Sequence, residues 1–363
     1  MDSRERVMLA LSFQEPDRVP IDFWGSGGFF RHLKAERDIS REEFLEEAGV
    51  DFRYIEGPRY IGLPLGEGRD LWGVPRKTVA VTVGRAEESY KEVTVSPLSE
   101  AKDLEQIFDY PLWPSADWFD YSVIKKQCEQ VHDGGKVVVF MGDRLNRIAQ
   151  LKPAMYMRGM EQIFVDMMIE PELARAVFKK ISDFYQEYLK RILESADGGI
   201  DIVCTGDDFG SQNTLLVSPE HWIAFLGEGF AAYNRLIGSS GARSMHHTCG
   251  YVTPIIPHFV ERGLDILQSL QPESMAGDFS AIKRQYARTL CFQGGISIQN
   301  TIPRGTPEDV RREVRRNLDA LGGGGGYIIS TAHNVQADCP LTNVDALIRA
   351  YHDLGRYPMA RGM

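Results

Sequence analysis

His247-Thr-Cys249-Gly is the sharpest chemical feature of the chain. In extended backbone, residues two apart project to the same side, so an imidazole nitrogen and a thiolate sulfur can reach one ion. Zinc accepts both donors, at about 2.0–2.1 Å and 2.3 Å, and Gly250 permits a tight turn behind them. A catalytic zinc usually keeps three protein donors and one exchangeable position, so a third side chain is needed. His333, just past the last strand-like run, is the preferred third donor. Cys339 is the alternative, although it stands at a helix start, and Cys291 sits inside a strand-like run. Gln271 and Asp208 are candidates for a fourth place. The same His-x-Cys pair also fits a hydrogen-bonded core histidine beside a buried thiol, and both readings stand at this point.

Two acids follow one strand-like run. Asp207-Asp208 reads either as surface acids at a turn or as a working pair, one orienting a ligand imidazole or substrate group, or acting as general acid. Asp22, Trp24, Gln212, Gln271 and Asn334 occupy similar places and are expected to contact substrate. Trp24, with Phe29 and Phe30, suits an aromatic wall for a flat apolar molecule and suits an ordinary core equally. Asp143, Arg144, Asn213, His246, Gln293 and Ser297 share the placement. Nothing in the sequence pairs an activated nucleophile with a base.

The elements that must position these residues follow from short, nearly continuous apolar runs. They lie at 136–140, 200–204, 242–245, 264–267, 289–292 and 326–329, each followed by polar residues and separated by helical stretches. Such runs are strands buried on both faces of a parallel sheet. With 19–24 and 52–55 they make eight, the number that closes a TIM (β/α)8 barrel, whose chemistry sits at the C-terminal ends of its strands. Ser3 is expected to cap a first helix over 3–11, and a second covers 41–49. Ser218-Pro-Glu-His and Thr306-Pro-Glu-Asp are helix starts, with a capping hydroxyl followed by proline. Cys339-Pro-Leu-Thr-Asn-Val starts the last helix. Runs at 78–83 and 90–95 predict a β-hairpin excursion within 60–98. No Gly-x-Gly-x-x-Gly turn follows an early strand, and the glycine run at 322–326 precedes one, so it reads as a connection. The expectation is one α/β domain spanning 1–363.

Composition bounds the function. The chain has 363 residues, 43% hydrophobic and 25% charged, with a net charge of −10. That balance disfavours nucleic acid and anionic membrane as partners. The basic cluster Arg311, Arg312, Arg315 and Arg316 reads as a solvated helix face. Five scattered cysteines, an odd number, argue for reduced thiols and a cytoplasmic location. The charged N-terminus is unlike a signal peptide, and no run of about 18 apolar residues spans a membrane.

Taken together, several segments resemble the uroporphyrinogen decarboxylase superfamily, specifically its corrinoid-dependent methyltransferase branch. They are Arg4-Glu-Arg-Val-Met-Leu-Ala-Leu with Asp17-Arg-Val-Pro, Arg158-Gly-Met-Glu161, Gly206-Asp-Asp-Phe-Gly-Ser-Gln212, His247-Thr-Cys-Gly250, Gln293-Gly-Gly-Ile-Ser297, Ser330-Thr-Ala-His-Asn334 and Cys339-Pro-Leu-Thr-Asn343. The resemblance implies a TIM barrel. In the decarboxylases an arginine-rich N-terminal loop meets a polycarboxylate tetrapyrrole. Here that loop, Ile21-Asp-Phe-Trp-Gly-Ser-Gly-Gly-Phe-Phe30, has no arginine, so porphyrinogen decarboxylation is not expected. The methyltransferase branch holds zinc with His-x-Cys and a later cysteine. The first two match His247 and Cys249, whereas His333 falls where the later cysteine would. This departure favours members similar to O-demethylase methyltransferases, which move a methyl group from a methoxylated aromatic compound to a corrinoid protein. Zinc and a partner-borne corrinoid (cobalamin) are the implied cofactors. A metal-free decarboxylase-like lyase, a methylcorrinoid:thiol methyltransferase and a non-catalytic corrinoid-binding subunit are the alternatives.

Overall fold

The computed structural model describes residues 1–83, 86–142, 147–275 and 278–359. Asp143 and Arg144, singled out above, lie outside the described residues. In chain order the strands are β1 (Phe52–Ile55), β2 (Arg59–Tyr60), β3 (Arg76–Val83), β4 (Ala86–Val93), β5 (Phe119–Asp120), β6 (Val137–Phe140), β7 (Ile202–Gly206), β8 (Arg243–His247), β9 (Ile266–Leu270), β10 (Cys291–Ile296) and β11 (Tyr327–Thr331). Seven of them pair side by side in the order β1-β6-β7-β8-β9-β10-β11, every pairing parallel, with helices between successive strands.

The expected eighth strand, 19–24, is not a regular strand, yet it occupies the closing position. Its Asp22 N–H donates to Ile329 O at 3.1 Å, and Ile329 N–H donates to Pro20 O at 2.9 Å. On the other side Asp51 N–H donates to Ile21 O at 2.9 Å. Isolated parallel bridges join Ile21 to Ile329 and Gly25 to Val335. Pro20 has no N–H to give, which interrupts the ladder without preventing the segment from joining β11 to β1.

Alternation along the strands sorts two cores. Phe52, Val137, Val139, Ile202, Cys204, Met245, Ile266, Cys291 and Ile328 point inward and cluster with Val7 and Leu11. These last two belong to the helix Ser3–Leu11, which plugs the N-terminal end of the barrel and accepts a bond from Gly326 N at Ala10 O, 2.7 Å. Asp2, rather than Ser3, caps that helix. Cys291 is therefore deep in the interior, away from the mouth. A larger apolar layer lies between the strands and the surrounding helices.

The other local expectations hold with shifts. Ser218 and Thr306 each accept from the backbone N–H three residues on, with proline next to the cap. The last helix spans Leu341–Leu354. The hairpin is β3 with β4, antiparallel, its second strand starting earlier than the run at 90–95. The arginine-rich helix Pro307–Asn317 is laced with ion pairs to Asp353, Asp309 and Glu313, as a solvated face should be. Among the described residues no helix is long and apolar enough to cross a membrane.

Candidate metal centre

Two residues beyond the inward apolar layer, the same alternation places a polar layer across the mouth. Tyr54 follows Phe52, Gly206 follows Cys204, His247 follows Met245, Gln268 follows Ile266, Gln293 follows Cys291 and Ser330 follows Ile328. His246 faces the other way. It stacks on Phe209 at 5.3 Å, meets Thr205 Oγ1 at 2.7 Å and belongs to the outer aromatic core, where burial pushes its pKa down to about 3.

At the centre of this layer, one ligand atom from each of His247, Cys249 and His333 lies within 4.8 Å of the others. The His247 Nε2 to Cys249 Sγ separation is 3.5 Å. Two donors at zinc bond lengths and a tetrahedral angle would stand roughly 3.6 Å apart, so this pair already has the required spacing. His247 Nδ1 makes a short hydrogen bond to Gln268 Oε1. A carbonyl acceptor there requires the proton on Nδ1, which leaves the Nε2 lone pair directed at the sulfur. Burial, and then the Arg147 charge, hold the imidazole well below its ordinary pKa, and it is therefore neutral. Burial pushes the Cys249 thiol up to about 12. Cys339 is not in the group. It is buried before the last helix, its sulfur beside Asp338, so among the described residues His333 is the side chain that completes the candidate group.

The two adjacent aspartates do different things. Asp207 is buried, and its carboxylate accepts from the backbone N–H groups of Gln150 (2.5 Å), Leu151 (2.9 Å) and Lys152 (2.7 Å). It satisfies the start of the helix Leu151–Arg158, which has no cap of its own. Burial raises its pKa to about 6 despite those donors. Asp208 instead faces the candidate donor group. Its Oδ1 accepts from Cys249 N at 3.0 Å and lies 4.0 Å from His247 Nε2, while Oδ2 binds Lys152 Nζ at 2.6 Å. Burial works against its ionised form, but the Lys152 charge and the Cys249 N–H outweigh it and hold the carboxyl well below the usual range.

Asp22 and Trp24 reach the mouth from the closing segment. Trp24 Nε1 donates to Tyr54 Oη at 2.6 Å, Tyr54 Oη–H donates to Asp22 Oδ2 at 2.5 Å, and Gln293 Nε2 donates to the same oxygen at 2.6 Å. Burial raises Asp22 to about 6. The Trp24 ring lies 5.4 Å from the His247 ring. Phe29 and Phe30 do not join it. On the helix Gly27–Arg37 they pack with Phe23 and Phe44, so of these three rings only Trp24 lies beside His247. Gln271 Oε1 accepts from Gly250 N at 3.1 Å, bracing the turn after Cys249. Gln212, exposed, hydrogen-bonds to Gln271, Ser274 and Gln299 at the rim. Asn334 is half-buried beside His333.

Sequence reasoning did not single out Gln268, Tyr54, Arg147 or Lys152. Gln268 and Tyr54 were detectable as polar residues two places past an inward apolar one. Arg147 and Lys152 lie beyond β6, where no periodicity marks them.

Residues 119–354 match the family model described as uroporphyrinogen decarboxylase (URO-D), a stretch that includes all three donors. The chain belongs to the uroporphyrinogen decarboxylase family. A curated uroporphyrinogen decarboxylase of Methylococcus capsulatus is 25% identical over 187 residues, 51% of this chain and 49% of that protein. The chain thus spans about half the length of the curated relative it matches. Among solved structures, a methyltransferase from Methanosarcina mazei is similar in fold, with a TM-score of 0.67 and 16% identity over 97% of this chain and 99% of that one.

Proposed function

We propose that this member of the family is a zinc-dependent methyltransferase that moves the methyl group of a methoxylated aromatic compound to the cobalt of a corrinoid protein. The observation that carries the reading is the donor group His247, Cys249 and His333 at the barrel mouth. Its spacing and mixed nitrogen–sulfur chemistry suit zinc, and three donors leave a place for substrate. The fold likeness to a methyltransferase of Methanosarcina mazei supports it. So does the closing segment, which carries no arginine to meet a polycarboxylate.

When bound, the zinc supplies a Lewis acid for the ether oxygen, and the corrinoid partner supplies the reduced cobalt that accepts methyl. The chain's own residues orient and exclude. Gln268 fixes the His247 tautomer. Asp208 holds Cys249 by its backbone N–H and places a negative charge beside the donors, balanced by Lys152. Because Asp208 stays ionised, it acts as a positioning group, and Asp207 does so through the helix it caps. Trp24 gives a flat face against which an aromatic ring can lie next to His247.

The test is metal content together with methyl transfer. The purified chain should hold about one zinc per molecule and methylate free cob(I)alamin from a methoxylated benzene. Cys249→Ala should lose both. A metal-free protein of full activity, or an unaffected Cys249→Ala variant, defeats the reading.

A further inference from the structure

Every carboxylate described at the barrel mouth is engaged. Asp22 takes Tyr54 and Gln293, Asp207 takes three backbone N–H groups, and Asp208 takes Lys152. One cation there has no acidic partner among the described residues. Arg147 is half-buried, makes no ion pair among the described residues, and its Nε is buried with no hydrogen-bond partner. Leaving a guanidinium partly desolvated and unpaired is costly, and such a group is unusual unless something else supplies the acceptor.

Its placement is built rather than incidental. Ile148 O accepts from Gly206 N at 2.9 Å, which pins the residue after Arg147 to the end of β7. Gly206 has no side chain, and the stem of Arg147 fills that room. A Cβ on Gly206 would come within 2.6 Å of Arg147 Cδ and 3.1 Å of Nη1. The guanidinium then lies over the Trp24 ring, Cζ 5.6 Å from its centroid, and that same ring is 5.4 Å from the His247 ring. One aromatic ring thus lies beside both a candidate metal donor and a guanidinium whose buried Nε has no hydrogen-bond partner.

We propose that Arg147 selects the substrate: the aromatic compound carries a carboxylate that the guanidinium binds, while the methoxy group is presented to the metal donors. A planar carboxylate matches the guanidinium fork in two parallel hydrogen bonds, and a half-buried site strengthens them. This rests on the proposed reaction only for the methoxy end; the carboxylate end rests on Arg147, Gly206 and Trp24.

Calorimetric binding of 3-methoxybenzoate and of its neutral counterpart 3-methoxybenzamide to the full zinc-loaded chain tests it. The acid should bind about 30-fold or more tightly than the amide, the range for a desolvated charge pair. Arg147→Met, which keeps a stem over Gly206, should remove that preference and leave amide binding within about threefold. Arg147→Lys should restore part of it. Equal binding of acid and amide by the wild type, a preference that survives Arg147→Met, or no binding of either compound overturns the inference. The two proposals fail separately. Arginine-dependent binding of the acid with no methyl transfer leaves this inference and removes the methyltransferase. Equal transfer from acid and amide does the reverse.

Discussion

A histidine is a metal donor only if the correct nitrogen is free, and here one amide decides which. Gln268 Oε1 holds the His247 Nδ1 proton, leaving Nε2 for the proposed ion. Gln268→Ala should therefore weaken zinc binding by about 10–100-fold, measured by competition with a chelator of known affinity. The thiol sets the proton balance. With His247 already neutral and the Cys249 thiol pushed up to about 12, uptake of the ion must expel the Cys249 proton. Apparent zinc affinity should rise about tenfold per pH unit between pH 6 and 8, and a flat titration would contradict this assignment. Asp207 belongs to a different class of residue. Asp207→Ala strips three helix N–H groups of their acceptor, so it should cost about 2 kcal/mol or more of stability in urea unfolding while changing zinc affinity only a few-fold.

Between residues and the barrel stand the strands and turns, and these were unevenly legible. Apolar runs marked the seven regular strands because a strand buried on both faces has few polar interruptions. The run at 264–267 was placed two residues early: β9 is Ile266–Leu270, and the polar pair Gln268 and Ser269, which the apolar run leaves out, is buried inside it. His247 and Cys249 were legible because two-residue spacing at a strand end has one geometric meaning, whereas the Arg147 position depends on a glycine some sixty residues later and leaves no local signal. The turn after Cys249 is as specific as the donors. Gly250 has φ +85°, and a Cβ there would sit 2.4 Å from Gly210 O. Gly250→Ala should therefore lower stability by about 1–3 kcal/mol and weaken zinc binding, because the strained turn must move Cys249.

At the scale of the molecule, two of the buried carboxylates, both at the barrel mouth, make stability depend on pH. Asp22 and Asp207 are both raised to about 6 in the fold, above the usual value near 3.9 for an unfolded aspartate. The folded state therefore binds protons more tightly than the unfolded chain. The stabilisation this brings is complete below about pH 4 and is lost as pH rises through 6. Wild type should gain on Asp22→Asn by up to about 3 kcal/mol as pH falls from 7 to 4, read from urea midpoints at each pH. A constant difference would show that Asp22 does not titrate in this window.

The closing segment joins the first tenth of the chain to the last. Ile21 can bond Ile329 only after β11 has been made, so the seam between the closing segment and β11 cannot form before then. His247 and Cys249 emerge well before His333, which arrives with that final strand. The nascent chain thus carries two of the three candidate donors until β11 has been made, and the third joins them only as that seam closes.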